Sequence, residues 1–181
     1  MTSALTRVLQ AARFAAEKHA KQKRKGKARE PYVNHLIEVA ALLTEATRGH
    51  DPNLIIAGLL HDVIEDQRVP KSELKRRFGA DIANLVSEVT DDKSFHKQRR
   101  KSLQILNAPG KSRRAKMIKI ADKCSNLRSL RLSPPTDWSA KRRRAYVDWA
   151  QKVVAGCRGV NKQLEATFDN AAAALIPRPQ I

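Results

Sequence analysis

The stretch that decides the fold is Gly58-Leu59-Leu60-His61-Asp62-Val63-Ile64-Glu65-Asp66. It places a His-Asp pair inside an apolar run, and two more carboxylates follow one helical turn later. Charged side chains are seldom fully buried unless a partner or a metal ion accompanies them. The stretch therefore predicts a central buried helix that carries a metal site together with its own proton-transfer groups.

A divalent ion held by His61 and Asp62 needs at least one more ligand, and the chain has only five histidines. His35 begins a segment with a clean apolar stripe, and Asp122 interrupts a similarly apolar segment, so these two residues are the best complements. Mixed imidazole and carboxylate ligation suits Mn²⁺, Fe²⁺ or Zn²⁺ better than Ca²⁺ or Mg²⁺. Glu65 and Asp66 would then orient a water molecule and move its proton.

Each candidate ligand also has an ordinary structural interpretation. A single histidine at the position of His35 is more often a capping or hydrogen-bonded side chain, and Asp122 has neighbouring lysines with which it can pair. The adjacent His61 and Asp62 are harder to explain, because an apolar helix has little structural reason to bury both. Spacing alone leaves the four-ligand site and the structural interpretation open.

Helical periodicity recurs throughout the chain, while the period-two alternation of strands is absent. The sequence therefore predicts an all-α helical bundle. No linker rich in Pro, Gly or Ser divides it, so we expect one domain over residues 1–176 and a flexible tail over residues 177–181. The apolar stripes predict helices over residues 4–21, from residue 32, over 54–64, 70–77, 82–89, 98–106 and 117–127, and one long helix from Tyr146 to Phe168.

Composition narrows the class of protein further. No apolar run approaches the roughly 18 residues that span a bilayer, so we expect no membrane association. The two cysteines, Cys124 and Cys157, form no Cys-x-x-Cys pair, which fits a reducing compartment. The basic, amphipathic residues 2–29 imitate a transit peptide, but candidate site residues begin at Arg24, which favours an ordinary first helix. We expect a cytoplasmic protein.

The net charge of +18 indicates an acidic partner, such as a nucleic acid, a membrane surface or a polyphosphate. Aromatic residues make up only 4% of the chain, and the basic runs contain none, so stacking platforms for single-stranded nucleic acid are few. A non-catalytic polyanion-binding module remains an alternative, although no zinc-finger or RNP-type motif is present.

Six motifs follow one another along the chain, namely His19-x-x-Gln22-x-Arg24-Lys25, Pro31-Tyr32-x-x-His35, Leu59-Leu60-His61-Asp62-x-x-Glu65-Asp66, Phe78-Gly79, Val89-Thr90-Asp91-Asp92-Lys93 and Lys119-x-Ala121-Asp122-Lys123-x-x-Asn126-Leu127-Arg128. As an ordered set they resemble the HD-fold hydrolases of RelA/SpoT-type alarmone enzymes, specifically the small stand-alone hydrolases known as Mesh-type. The likeness continues through Trp138, Trp149-Ala150 and Asn161-x-Gln163-Leu164. It implies an HD-domain helical bundle.

The resemblance implies a reaction and a set of roles. The expected reaction is hydrolysis of the 3′-pyrophosphate of guanosine 3′,5′-bis(diphosphate), or of its pentaphosphate relative, to GDP or GTP and pyrophosphate. The substrate is thus a small nucleotide, and nucleic acid is not required. The resemblance assigns one Mn²⁺ to His35, His61, Asp62 and Asp122, the attacking water to Glu65 and Asp66, and substrate contacts to Arg24, Lys25 and Asn126, with Tyr32, Arg142 and Tyr146 as weaker candidates.

Three positions depart from the family's usual pattern. Leu36 stands where Pro commonly follows the ligand histidine, Gln67 stands where Thr is usual, and Cys124 occupies a position often held by Leu or His. None is a ligand, so these changes bear on local geometry or rate and leave the reaction type unchanged. A synthetase domain does not fit in 181 residues, so we expect an enzyme that only degrades.

Other activities on the same fold remain open at this stage. A phosphatase acting on another nucleotide, with NADPH as the obvious candidate, would use the same metal site, because fold and metal do not fix the substrate. A two-metal phosphodiesterase is less well supported, since only His96 lies between Asp66 and Asp122 to help hold a second ion. The sequence says nothing about the oligomeric state.

Overall fold

The structure is a computed structural model that describes residues 2–175. Within them the chain forms ten α-helices and no strand, apart from a single antiparallel bridge between Lys23 and Pro31, which confirms the all-α prediction. The predicted tail over residues 177–181 lies outside the described residues. The helices are α1 (Ala4–Lys18), α2 (Val33–Thr47), α3 (Pro52–Leu60), α4 (Val63–Gln67), α5 (Lys71–Phe78), α6 (Ala80–Val89), α7 (Lys97–Asn107), α8 (Arg113–Leu132), α9 (Ala140–Ala155) and α10 (Lys162–Ala173), with a 3-10 turn at Ala108–Gly110.

Helix α3 is the centre of the bundle and packs against α1, α2, α6 and α8. From Leu54 onwards it is apolar on all sides, and every residue from Leu54 to Leu60 is buried. Asp51 caps it by accepting a hydrogen bond of 3.0 Å from the backbone N–H of Leu54. Gly58 permits the close approach of α2, because a Cβ at this position would lie 2.5 Å from Cδ1 of Leu43. The carboxyl end of α3 is thus carried into the interior.

The helix predicted over residues 54–64 is interrupted after Leu60. His61 and Asp62 form a turn, and α4 resumes at Val63. The ring Nδ1 of His61 donates a hydrogen bond of 2.8 Å to the carbonyl oxygen of Gly58, which a continuing helix would use for its own backbone. The prediction that one helix carries all four titratable residues is therefore wrong. The His-Asp pair lies in the turn, and Glu65 and Asp66 lie on α4.

The long helix predicted from Tyr146 to Phe168 is also two helices. Helix α9 ends at Ala155, and α10 begins only at Lys162. Gly159, at φ +87°, turns the chain through a conformation that favours glycine, and Asn161 caps α10 by accepting from Leu164 N–H at 2.9 Å. The apolar stripe runs through the break because both helices face the core, so periodicity alone could not reveal it.

The twenty-residue helix α8 lies against α2, α6, α9 and α10 and also touches the central helix. Ser112 caps it by accepting from Ala115 N–H at 3.2 Å. Within residues 2–175, no helix has the length and apolar character needed to cross a membrane. The packing of α2, α3 and α8 around one point brings together residues that are far apart in sequence.

Candidate active site

Four predicted ligands converge where α2, α3 and α8 meet. The carboxylate oxygen Oδ2 of Asp62 lies 3.0 Å from Nε2 of His61 and 3.8 Å from Nε2 of His35. One ligand atom from each of these three residues fits within 4.8 Å of the others. Asp122, from α8, places Oδ1 at 3.4 Å from Nε2 of His35 and 3.9 Å from Nε2 of His61. The structure therefore brings the complete predicted set together.

The hydrogen bond that His61 makes to Gly58 leaves its second ring nitrogen, Nε2, aimed at this point. Because a carbonyl oxygen only accepts hydrogen bonds, Nδ1 of His61 must be the donor to Gly58. Its Nε2 is buried without a hydrogen-bond partner. Burial lowers the pKa of His61, but the carboxylates of Asp62 and Asp122 raise it more strongly, to about 9. A position that attracts a proton so strongly is suited to a cation.

Both carboxylates of the predicted ligand set are oriented by neighbouring donors. The hydroxyl of Tyr32 donates to Oδ2 of Asp62 at 2.7 Å, and Nδ2 of Asn126 donates to Oδ1 of Asp122 at 2.6 Å. Lys123 donates to the other oxygen of Asp122 at 2.7 Å. Burial alone would raise the pKa of Asp122, but Lys123 keeps this pKa well below its usual range. Pairing with Lys123 thus occupies one oxygen of Asp122 and leaves the second facing the histidines.

Glu65 and Asp66 share a polar cavity of about 170 Å³ with His61, Asp62 and Asp122. Glu65 accepts hydrogen bonds of 3.2 Å from the backbone N–H of Asp91 and from the guanidinium of Arg100. Burial raises the pKa of the Glu65 carboxyl, and the nearby charge of Asp62 raises it further. A carboxyl group with a raised pKa next to a cation site is suited to proton transfer.

Asp66 is held in place by a different group of side chains. It accepts from Gln22 Nε2 at 2.8 Å and from Lys93 Nζ at 2.6 Å. Gln22 is itself fixed by Nδ1 of His19 at 2.7 Å and by Gln67 Nε2 at 2.5 Å. Gln67, one of the departures from the family pattern, therefore takes part in the network that positions Asp66.

A second cavity of about 480 Å³ adjoins the first, since Tyr32, Asp66 and Asn126 line both. Its wall is strongly basic, and Asp66 is the only acidic residue among the described residues that line it. Arg24 spans part of the wall, donating to Asn126 at 3.2 Å while its guanidinium lies 5.7 Å from the centroid of the Tyr32 ring. All six predicted substrate contacts line this cavity, namely Arg24, Lys25, Tyr32, Asn126, Arg142 and Tyr146.

The basic loop over residues 21–29 is fixed to the end of α8. The backbone N–H of Ala28 donates to Oγ of Ser133 at 2.9 Å, and that of Lys27 donates to the carbonyl of Pro134 at 3.3 Å. Gly26 lies so close to Ser133 that a side chain at this position would collide with it. These contacts hold Arg24 and Lys25 at the cavity wall.

Several cavity residues were not predicted as contacts from the sequence. Lys97 and Lys101 reach the large cavity from α7, and Trp138 lines it from the segment before α9. Nζ of Lys101 and Nζ of Lys123 each lie 4.6 Å from the centroid of the Trp149 ring. Basic residues on a polar helix are typical of a solvated surface, so the sequence carried no signal that α7 faces a cavity.

Comparison with known proteins places this geometry among related ones. The HD-domain family profile matches residues 11–153. The chain is 48% identical to a guanosine-3′,5′-bis(diphosphate) 3′-pyrophosphohydrolase of Drosophila melanogaster, with 86% of this chain and 87% of the relative covered. It is 46% identical to the Homo sapiens protein of the same name, with 91% and 92% covered.

Two solved structures are also similar to this chain. One, described as a metazoan ortholog of SpoT that hydrolyzes ppGpp and plays a role in starvation responses, superposes with a TM-score of 0.89 at 44% identity. The match covers 94% of this chain and 95% of the other. A Listeria monocytogenes protein superposes with a TM-score of 0.64 at 26% identity, covering 78% of this chain and 95% of that chain.

Proposed function

The chain belongs to the HD-domain family, within its group of guanosine-3′,5′-bis(diphosphate) 3′-pyrophosphohydrolases, and we infer that it catalyses the reaction of that group. It hydrolyses the 3′-pyrophosphate of guanosine 3′,5′-bis(diphosphate) to give GDP and pyrophosphate. The observation that carries this conclusion is the convergence of two imidazole nitrogens and two carboxylates beside a basic, nucleotide-sized cavity.

We propose that the site holds one Mn²⁺, bound by His35, His61, Asp62 and Asp122. The donor set fits a divalent ion, because Nε2 of His61 is buried without a hydrogen-bond partner and the carboxylates of Asp62 and Asp122 face it. Imidazole and carboxylate ligands together suit Mn²⁺, Fe²⁺ or Zn²⁺ better than Ca²⁺ or Mg²⁺, and among these the family resemblance favours Mn²⁺. When bound, such an ion polarises a phosphoryl oxygen and makes water a stronger nucleophile.

Glu65 and Asp66 would then divide the handling of the attacking water. We assign proton acceptance to Glu65, whose pKa is raised by burial and by Asp62. Asp66 accepts from Gln22 and Lys93, which fixes its carboxylate between the two cavities, and we assign it the orientation of the water. This division of roles is supported by the different partners of the two carboxylates.

The large cavity offers matching chemistry for each part of the nucleotide. Arg24 presents a planar guanidinium, held over the ring of Tyr32, on which a guanine can stack. Lys25 and Arg142 offer cations to the phosphates, Asn126 offers an amide to the sugar, and Tyr146 completes the wall. The wall cations Lys97 and Lys101 extend the same field, which suits a substrate that carries two diphosphate groups.

The activity is tested by measuring pyrophosphate release from guanosine 3′,5′-bis(diphosphate) with the full chain and Mn²⁺. We expect turnover that a chelator abolishes and Mn²⁺ restores. Asp62→Asn should reduce it to background, whereas the matched Asp81→Asn, which removes a surface carboxylate at the start of α6, should leave it intact. Full turnover by the Asp62 variant would rule out the metal-dependent mechanism.

The same preparation separates the remaining alternatives. Phosphate release from NADPH, measured under identical Mn²⁺, tests the phosphatase alternative, and the pentaphosphate substrate tests release of GTP. A polyanion-binding module would bind with a steep salt dependence whether or not the metal is present. We expect pyrophosphate release to dominate.

We further propose that residues 1–176 form a single hydrolase domain and that the protein works in the cytoplasm. The domain assignment is supported by the central position of α3, which packs against helices from both halves of the chain. The location is supported by Cys124 and Cys157, which are buried and unpaired, as is typical of a reducing compartment.

A further inference from the structure

A chain of hydrogen bonds runs from the protein surface to the ligand His35. Arg128 Nη1 donates to Oε1 of Glu38 at 3.1 Å, and Oγ of Ser125 donates to Oε2 of Glu38 at 2.6 Å. Nδ1 of His35 lies 2.8 Å from the same Ser125 oxygen. Ser125 and His35 are buried, whereas 34% of the Glu38 side chain is exposed. The chain therefore connects a surface ion pair to the interior of the metal centre.

The direction of each proton in this chain follows from the carboxylate of Glu38. A carboxylate only accepts hydrogen bonds, so the single hydroxyl proton of Ser125 points towards Glu38. Towards His35, Ser125 can then present only lone pairs, and Nδ1 of His35 must be the donor. A neutral imidazole carries one ring proton. Nε2 of His35 is consequently left with a free lone pair.

That lone pair points to the place where the ion would be bound. Nε2 of His35 lies 3.4 Å from Oδ1 of Asp122 and 3.8 Å from Oδ2 of Asp62. The opposite tautomer would direct an N–H at the same place, and a protonated nitrogen cannot be a ligand. In His61 a backbone carbonyl fixes the proton on Nδ1. In His35 this proton is fixed by side chains, which can be substituted.

We propose that Glu38 and Ser125 are positioning residues that hold His35 in the tautomer required for metal binding. Both side chains line a separate cavity of about 200 Å³, which Arg24 and His35 also border, and neither lines the two cavities that contain Glu65, Asp66 and the predicted substrate contacts. The inference rests on the proposed function, because the orientation of His35 matters only if His35 binds a metal ion. A purely structural role, in which Ser125 and Glu38 only join α8 to α2, makes a different prediction.

The tautomer can be observed directly in the metal-free protein. In the full chain with ¹⁵N-labelled histidine, long-range ¹H–¹⁵N correlation spectra distinguish the two neutral forms. We expect wild-type His35 to be protonated at Nδ1. In Glu38→Gln the new amide can donate to Ser125, which frees the hydroxyl proton to turn towards His35, so the form protonated at Nε2 should become populated. Ser125→Ala removes the acceptor and should give the same loss of the Nδ1–H form.

Metal affinity gives a second readout that does not depend on turnover. We expect calorimetric titration with Mn²⁺ alone to show binding weakened about 10- to 100-fold in Glu38→Gln and Ser125→Ala, the usual effect of losing a group that orients a ligand. Glu45→Gln is the matched control, because it removes an exposed carboxylate from the same helix. It should retain the wild-type tautomer and affinity.

The proposal is wrong if both variants keep the Nδ1–H form and the wild-type affinity for Mn²⁺. It is equally wrong if they lose only thermal stability, since that is the signature of a structural link between α2 and α8. Failure of the proposed function would appear elsewhere, as the absence of pyrophosphate release by the wild-type enzyme. The histidine spectra of the metal-free protein can be interpreted in either case.

Discussion

Tyr32 donates its hydroxyl proton to Oδ2 of Asp62 over 2.7 Å, and that oxygen lies 3.0 Å from Nε2 of His61. The ring of Tyr32 stacks on the imidazole of His19, with centroids 5.2 Å apart, and lines the large cavity. One side chain thus contacts the proposed metal centre through its hydroxyl and the large cavity through its ring. Substitution can separate these two contributions.

Tyr32→Phe should weaken metal binding and leave substrate binding unchanged. It removes a hydrogen bond to a charged group, worth about 1.5–3 kcal/mol, while keeping the aromatic face. We expect the Kd for Mn²⁺ to rise at least about tenfold, with KM unchanged at saturating Mn²⁺. Calorimetry and steady-state kinetics measure the two quantities. A raised KM with unaltered affinity for Mn²⁺ would contradict the assignment.

Arg24→Gln should weaken substrate binding and leave metal binding unchanged. Arg24 lines the large cavity and donates to Asn126, so its loss removes charge-assisted contacts with a phosphorylated ligand. We expect KM to rise about 10- to 100-fold, while the Kd for Mn²⁺ stays close to the wild-type value. Arg29→Gln provides the control, because it removes the same charge from an exposed residue of the same loop. Equal effects of the two substitutions would point to general attraction by the basic surface.

Gly58→Ala should destabilise the protein although alanine favours helices. A Cβ would lie 2.5 Å from Cδ1 of Leu43, which is fully buried and has little room to move. Overpacking costs about 1–3 kcal/mol, which outweighs a helix-propensity gain of up to about 1 kcal/mol. Urea unfolding of the metal-free protein measures the difference. In Gly110→Ala, where no atom lies within 4 Å of the added carbon, stability should be unchanged or slightly raised.

Stability should also depend on the ionisation of Asp81. The hydrogen bonds from Arg114, which meet the carboxylate at 2.9 to 3.1 Å, lower the pKa of Asp81, and Asn53 lowers it further. Because the pKa is lower in the folded chain, the stabilisation is present above the unfolded value of about 3.9 and is lost as the pH falls through the folded value.

Asp81→Asn should therefore reduce the free energy of unfolding near neutral pH by less than about 1 kcal/mol, because more than half of the side chain is exposed. The difference from wild type should shrink as the pH falls below about 4. Urea unfolding at several pH values measures this. A difference in unfolding free energy that grows on acidification would contradict this prediction.

Much of the fold was predictable because amphipathic periodicity reports which face of a helix is buried. The stripe of α2, the apolar α3 and the cap at Asp51 were all visible in the sequence, and the predicted ligands His35, His61, Asp62 and Asp122 meet in one place. Buried polar residues in apolar segments identified this place because such burial needs compensation.

The features that the sequence did not reveal depend on contacts that periodicity does not encode. The bond between Ser125 and Glu38 joins different helices, and neither residue stands out in its own segment. The turn at His61 depends on a side chain that takes a backbone acceptor, and the end of α9 lies within a continuous apolar stripe. Gly159 and the cap Asn161 were the available signals for that second break.

The proposed metal ligands come from α2, from the turn after α3 and from α8, so an ion bound there would fasten three separate segments to one another. A ligand that binds only the folded chain stabilises it by mass action, in proportion to the logarithm of its concentration. Scarcity of the ion would then increase the fraction of unfolded chains that proteases can degrade. The supply of metal would thus set the lifetime of the protein as well as its rate.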